Sequence, residues 1–362
     1  MIRAEAPISR AEVARRTGIS KPTVSHALRV LEHAGLVRET RPAPGAPHYG
    51  ATYYEADPEA ALVLALDIGV RFVRGAVCDL DGNLHARHDI RTPGAIASTL
   101  TAIASLRRSL LETAGVDPAR LSQVVVGVPG VVSATNGRIA QPGDVPGLGE
   151  INVRRGLEDA LRLPVTLEND VNLAALGEQW RGAARGIEDF AFLSVGTGLG
   201  AAVVLGGKMH RGRNGTAGEL DAVRSGRLDE IDPCAEALSG YAATETSFNE
   251  PDDLPAVFAA ARTGDAEASK VVAEAARRIA LHILPLAVTL DLPLVILGGG
   301  IGANGDLLLE PIHSRLSEWL PFPPSVTASS LGDAAVLTGA LATGCAAVLE
   351  DIFEQRASHT TS

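Results

Sequence analysis

Cysteine is scarce in this chain: 362 residues hold only three, at Cys78, Cys234 and Cys345. They are scattered, so they form neither a disulfide framework nor a CxxC metal pair, and no metal is expected. No apolar stretch reads as the span of a membrane helix. The opening MIRAEAPISR also lacks the apolar core of a secretory signal. Together these absences point to a reduced, cytoplasmic protein with no membrane partner. What is present is a chain that is 46% hydrophobic, with 38 glycines and 21 prolines, a composition typical of an ordered α/β protein. Its length calls for two or three folded units.

The net charge of −11 conceals a division. Residues 1–50 carry eight Lys and Arg against four acids, a net of +4. The remaining 24 basic and 39 acidic residues leave −15 for the rest. An acidic body repels phosphate backbones and a small basic head attracts them, so contact with nucleic acid is expected only from the N-terminal segment.

Pattern in that segment supports the expectation. Ser9-Arg-Ala-Glu12 reads as a capping box, opening a helix to Thr17 that turns Val13 and Ala14 inward. Gly18 supplies a tight turn, Ile19 is expected to plug the core, and Ser20 caps a second helix. There Val24, Leu28 and Leu31 recur at i, i+4 and i+7 as a buried stripe. The opposite face offers Lys21, Pro22, Thr23, Ser25, His26 and Arg29, side chains suited to a major groove. Gly35 ends the helix as a left-handed cap. LVRET and HYGATYYEA then read as two wing strands around RPAPGAP, bringing Arg38 and Arg41 near DNA phosphates. A winged helix usually begins with one more helix, and residues 1–6 look too few for it. A packing hairpin of the same polarity is the alternative.

From Ala61 onward the pattern is strand–strand–strand–helix, laid down twice. ALVLALDIG, FVRGAVCDL and NLHARHDIR are joined by tight turns and followed by a helix near 96–115. VVVGVPG, a helix near 153–162, PVTLEND and a helix from Val171 complete the first round. The second begins at DFAFLSVGTGLGAAVVLGGKMHRG, and continues through a helix at 267–291, PLVILGGG, a helix from Asn304, SVTASS and a closing helix from Asp333. The expected units are a head at 1–57, lobes at 58–180 and 181–330, a returning helix at 331–353 and a disordered tail at 354–362. The repetition suggests a duplicated α/β body with a cleft between the lobes.

Three glycine turns should face that cleft: Asp67-Ile68-Gly69, Gly196-Thr197-Gly198-Leu199-Gly200 and Gly298-Gly299-Gly300. Their backbone amides can approach a phosphate or a sugar without side-chain obstruction. Glu168-Asn169-Asp170 stands directly before a helix. Asp170 reads either as its N-cap or as a carboxylate in the cleft, where in a kinase it would be the general base. Glu219 in GTAGELD and Glu236 in PCAEALSG add further carboxylates, each of which could equally be a solvated surface acid.

These stretches resemble the ROK family, which groups bacterial repressors of sugar operons with sugar kinases. SRAEVARRTGISKPTVSHALRVLEHAGLV resembles the winged helix of its xylose-repressor-like branch. VGVPGVV, QPGDVPGL, LPVTLENDVNLAALGE, SVGTGLGAAVVLGGKMHRGRNGTAGE and LGGGI resemble successive body motifs. The resemblance implies an actin/hexokinase-like, ribonuclease H-like two-lobed body behind a winged helix-turn-helix, assembled as a homodimer or homotetramer. It places Asn169, Asp170, Glu219 and Glu236 where family members contact sugar, with Asp144 where they often have Asn. Two departures stand out. The family's kinases carry Asp-x-Gly-Gly-Thr at the first phosphate loop, whereas here Val70 and Arg71 follow Gly69, which argues against ATP in the usual pose. The family's zinc site uses a His and three Cys, whereas here Ala222 holds the His position and Cys234 is the one cysteine nearby; a lone thiol cannot hold structural zinc. The expected function is a sugar-responsive DNA-binding regulator, a repressor without kinase activity, whose partners are operator DNA and a carbohydrate or sugar-phosphate effector. The alternatives are an ATP-dependent sugar kinase with an accessory head, and a regulator that binds DNA without any ligand.

Overall fold

The computed structural model describes residues 1–42, 51–133, 137–141, 145–220 and 231–359. The head runs α1 (Ile2–Glu5), β1 (Ile8–Ser9), α2 (Arg10–Thr17), α3 (Lys21–His33), β2 (Val37–Thr40) and β3 (Tyr53–Ala56). Both caps read from the sequence hold. Glu12 N–H donates to Ser9 Oγ (3.2 Å) at the start of α2, and Thr23 N–H to Ser20 Oγ (3.4 Å) at the start of α3. Gly18 and Gly35 take positive φ, and Leu36 N–H closes on Leu31 O (2.8 Å) behind α3. The core of the head is Ile8, Val13, Ala14, Val24, Leu28, Val37 and Tyr54, with Ile2 and Leu31 packed against it.

Four expectations for the head change. Residues 1–6 do form a helix, a single turn that Arg16 ties to α2 through Glu5. The wing is a three-stranded sheet, β1-β3-β2, because Ile8 pairs with Tyr54. Ile19 is 46% exposed rather than a core plug. The Glu12 side chain does not reach back to complete a capping box. It takes hydrogen bonds from Arg15 and Arg16, which hold its carboxyl down at about 2.

The first lobe contains β4 (Leu62–Ile68), β5 (Phe72–Asp79), β6 (Leu84–Arg91), α4 (Ile96–Ala114), β7 (Leu121–Val128), β8 (Val131–Val132), β9 (Ile139–Ala140), α5 (Val153–Leu161), β10 (Val165–Asn169) and α6 (Asp170–Arg181). The second contains β11 (Phe190–Val195), β12 (Leu199–Leu205), β13 (Lys208–Met209), α7 (Ala235–Glu245), α8 (Leu254–Arg262), α9 (Ala266–Leu290), β14 (Leu294–Gly298), α10 (Gly299–Gly302), α11 (Gly305–Trp319) and β15 (Ser325–Ala328). The two five-stranded sheets share one topology. Their orders are β6-β5-β4-β7-β10 and β13-β12-β11-β14-β15, antiparallel on one side of the central strand and parallel on the other. All seven residues of β4 are buried, as expected of a central strand covered on both faces.

α12 (Ala335–His359) returns to the first lobe and packs along α6 and across β4 and β7. The two helices meet backbone to backbone: a Cβ on Gly339 would lie 1.8 Å from Leu173 O, and one on Gly177 2.3 Å from Ala335 O. Two expectations change here. Gly332–Ile352 is long and apolar enough to cross a membrane, contrary to the sequence reading, but this stretch packs on the first lobe as a core helix. The backbone is also helical as far as His359, where a disordered tail was expected from 354; residues 360–362 lie outside the described residues.

Candidate functional site

Parallel strands release their chains at one edge of a sheet, so the carboxyl ends of β4, β10, β11 and β14 converge on the cleft between the lobes. Asp170, the first residue of α6, is the chemical centre of this region. Burial pushes its carboxyl up to about 7, helped by the nearby charges of Asp67 and Glu219, while the backbone N–H of Val171 opposes the shift. Asp67, at the end of β4, is buried and its carboxyl is pushed up to about 6 by that burial. Arg74 counters through a hydrogen bond of 3.0 Å. Burial thus brings two neighbouring carboxyls toward neutrality.

Asn169, not Asp170, caps α6. Its Oδ1 accepts from Asn172 N–H (3.0 Å) and its Nδ2 donates to Gly130 O (3.2 Å), so the amide is fixed by protein before any ligand arrives. The Asp170 carboxylate is engaged by local backbone alone among the causes of its shift, with Oδ1 accepting from Val171 N–H (2.9 Å). Glu168 joins the lobes. It accepts from Asn172 Nδ2 (2.9 Å) and pairs with Arg211 of the second lobe at 2.7 Å.

The second-lobe glycine turns touch each other. A Cβ on Gly196 would lie 3.3 Å from Gly300 N, and one on Gly299, whose φ is +78°, would lie 2.3 Å from Val195 O. Gly200 abuts Val171, bringing this turn against the first turn of α6; Thr197 is exposed at its tip. Ala235 N–H donates to Gly196 O (2.9 Å), so α7 starts at the same turn, with Glu236 exposed in its first turn. The structure therefore gathers Asp67, Asn169, Asp170, Glu219, Gly196–Gly200 and Gly298–Gly300 around one cleft. Asp144 lies outside the described residues.

The first-lobe hairpin differs. Gly69 N–H bonds Phe72 O (3.0 Å), and Val70 and Arg71 stand exposed at its tip. The Asp67 carboxyl at its base is paired with Arg74. Cys234 N–H donates to Asp232 (2.9 Å), while Cys78 and Cys345 lie in the first lobe with their sulfurs 3.6 Å apart. Ala222 lies outside the described residues, and among those described no cluster of three His, Cys, Asp or Glu could hold a metal.

In the head, Lys21, Pro22, Thr23, His26 and Arg29 are exposed along one face of α3, and Ser25 is half-buried at its margin. The Ser20 and Thr23 hydroxyls bond each other (2.8 Å), which fixes the first turn. Arg41 is exposed. Arg38, expected near DNA phosphates, pairs with Glu55 at 2.7 Å and lies 3.7 Å from Asp57. The sequence reading named Glu168 but missed its partner Arg211, and it missed Arg74. Arg74 could have been found, since the β4–β5 hairpin register places it opposite Asp67. The pairing of Arg211 with Glu168, 43 residues away, carried no local signal.

Comparison with known proteins follows the same division. The glucokinase of Streptomyces coelicolor is 28% identical over 314 residues, covering 77% of this chain and 96% of its own. The xylose repressor of Caldicellulosiruptor bescii is 22% identical over 365 residues, covering 92% of this chain and 91% of its own. A solved ROK family transcriptional regulator, a homologue of the E. coli MLC protein, superposes with a TM-score of 0.78 at 20% identity, over 98% of this chain and 96% of its own. The profile of a helix-turn-helix domain matches residues 1–40 and that of the ROK family matches residues 63–348, so the chain belongs to the ROK family and carries an N-terminal helix-turn-helix.

Proposed function

We propose that the protein is a sugar-responsive DNA-binding repressor of carbohydrate-related genes that does not phosphorylate its ligand. The observation that carries this reading is the exposed face of α3: Lys21, Pro22, Thr23, His26 and Arg29 point away from the head core on a helix capped at both ends. Asp170 and Glu219, beside the fixed amide of Asn169, offer hydrogen-bond acceptors suited to sugar hydroxyls, with Glu236 at the rim. The exposed Val70 and Arg71 and the paired Asp67 speak against phosphoryl transfer from ATP, and nothing in this reading uses zinc. The repressor relative also extends over the head, whereas the glucokinase covers 77% of the chain. A homodimer or homotetramer would set two α3 helices on half-sites about 34 Å apart along operator DNA.

The test is a fluorescence-anisotropy titration against a 30-base-pair duplex selected from a random pool of that length, repeated over a salt series with and without D-xylose or D-glucose. Binding should weaken steeply with salt, and Arg29→Ala should lower the slope by about one. Absence of DNA binding at low salt would overturn the reading. One observation favours the kinase alternative: a carboxyl near 7 is well placed to accept a hydroxyl proton. ADP release on a sugar panel, lost in Asp170→Asn, would establish it.

A further inference from the structure

α6 begins at Asp170 in the cleft and ends at Arg181, about 18 Å away at the usual helical rise. Its far end does not stop in solvent. Arg181 Nη1 donates to Gly82 O (2.7 Å) and Nη2 to Asp81 O (3.0 Å), in the turn between β5 and β6. The guanidinium stacks on the neighbouring Trp180 ring at 4.0 Å. Gly82 has φ +75°, and a Cβ there would lie 2.3 Å from the Trp180 ring, so the turn and the helix end fit without slack.

The other side of the same turn is held by the head. Arg3 of α1 donates to Leu80 O and lies 3.4 Å from the Asp81 carboxylate. Three successive carbonyls, Leu80, Asp81 and Gly82, are thus taken by two arginines from different bodies. Leu36, just beyond α3, packs like Trp180 against a buried cluster that includes, from α12, Cys345 and Val348. Cys345 in turn donates to Asp79 O (3.5 Å), one residue before the turn.

We propose that the Leu80–Gly82 turn is the joint through which the cleft sets the position of the DNA-binding head, with Arg181 and Arg3 as its two positioning residues. The inference rests on the regulator reading for its purpose, though the joint itself is independent of any ligand. A ligand that draws in the start of α6 moves the whole rod, because a packed helix transmits displacement along its axis. Arg181 carries that movement to the turn, and the turn carries it to α1. The Arg3–Asp81 pair is half exposed on both sides (39% and 50%), so this contact is weak enough for a ligand to remodel.

The test has two arms. In the first, hydrogen exchange is followed in the full-length protein without ligand, for the wild type, Arg3→Ala, Arg181→Ala and Arg181→Lys. Arg181→Ala should speed exchange in residues 2–5 and 36–40 as Arg3→Ala does, leaving β11 and β12 unchanged, and Arg181→Lys should restore part of the protection. Unchanged head exchange in Arg181→Ala would overturn the proposal whether or not any sugar binds. The second arm uses D-xylose or D-glucose, whichever shifts wild-type DNA affinity. A wild-type response of roughly fivefold or more should collapse toward one in Arg181→Ala, while the same sugar still protects residues 165–175. A full response in Arg181→Ala would also overturn the joint. If the wild type responds to neither sugar, the sugar-responsive reading fails and the exchange arm alone decides the joint.

Discussion

The two lobes have the same strand order and opposite surfaces at their first hairpins. In the second lobe, the turn from Gly196 to Gly198 backs onto Gly300 and Ala235, and what it offers the cleft is largely backbone. In the first lobe, the equivalent hairpin ends in exposed Val70 and Arg71 over an ion-paired Asp67. A duplicated backbone constrains where loops emerge, since strand direction decides which edge faces the cleft. It leaves loop chemistry open. The acids of the cleft also differ in origin: Asp67 and Asp170 come from the first lobe, Glu219 from the second, and the head sits on the first lobe.

The largest effect is expected where the lobes are tied together. Glu178 of α6 is fully buried, and its carboxyl accepts from Ser329 Oγ (2.5 Å), Ser330 Oγ (3.0 Å), Leu331 N–H (3.1 Å) and Ala183 N–H (2.6 Å). Both segments in which the chain crosses between the lobes therefore converge on one side chain. Glu178→Ala leaves four donors without their acceptor, three of them half-buried and that of Ser330 exposed, and should cost about 3 kcal/mol, measured by urea denaturation. Glu178→Gln should not rescue it, because each oxygen accepts a backbone N–H and either orientation of the amide sets NH2 against a donor. If both variants unfold like the wild type, the lobes are more independent than their shared knot implies.

That knot was invisible in the sequence, and the reason is general. Strands such as ALVLALDIG and helices opened by Ser9 and Ser20 announce themselves through period and caps, which are local. The duplicated topology followed from that local reading alone. Glu178 lies 151 residues from Ser329, and no periodicity reports a hydrogen bond across that gap. Asn169 shows a subtler failure. Both it and Asp170 are good caps, and the choice between them depends on Gly130 O, 39 residues away, which holds the Asn169 amide. The apolar run in α12 was likewise overlooked because it is broken by small residues. One of these, Gly339, meets Gly177 of α6, and the two glycines let the helices approach closely.

A middle-sized effect tests the asymmetry of acids. Because burial raises Asp170 to about 7, its native form holds a proton that the unfolded chain has already lost above about 4. Stability linked to this group is therefore complete below about pH 4 and declines as pH rises toward 7. Asp170→Asn removes the charge and should raise stability on the order of 2 kcal/mol at pH 8, with the gain vanishing near pH 4. Thermal melts of both proteins across that range would show converging curves. Parallel curves would mean that water reaches the carboxylate freely and that the cleft is open in solution.

The smallest effect concerns the head, which sits on the first lobe. Arg38 was expected at DNA phosphates, but its guanidinium is engaged by Glu55 and faces Asp57. More than half of the Arg38 side chain is exposed (55%), so the pair is screened by solvent. Glu55→Gln should change stability by less than about 0.5 kcal/mol. Its consequence should appear in binding instead. Freed from its carboxylate partner, Arg38 can neutralise a phosphate, and each added phosphate contact steepens the salt dependence of DNA affinity by roughly 0.9 in log–log slope. A steeper slope with an unchanged melting temperature identifies Glu55 as a restraint on a DNA-contacting arginine. An unchanged slope makes Arg38 a strut between β2 and β3, and leaves the charge-based steering of the head to Lys21, Arg29 and Arg41.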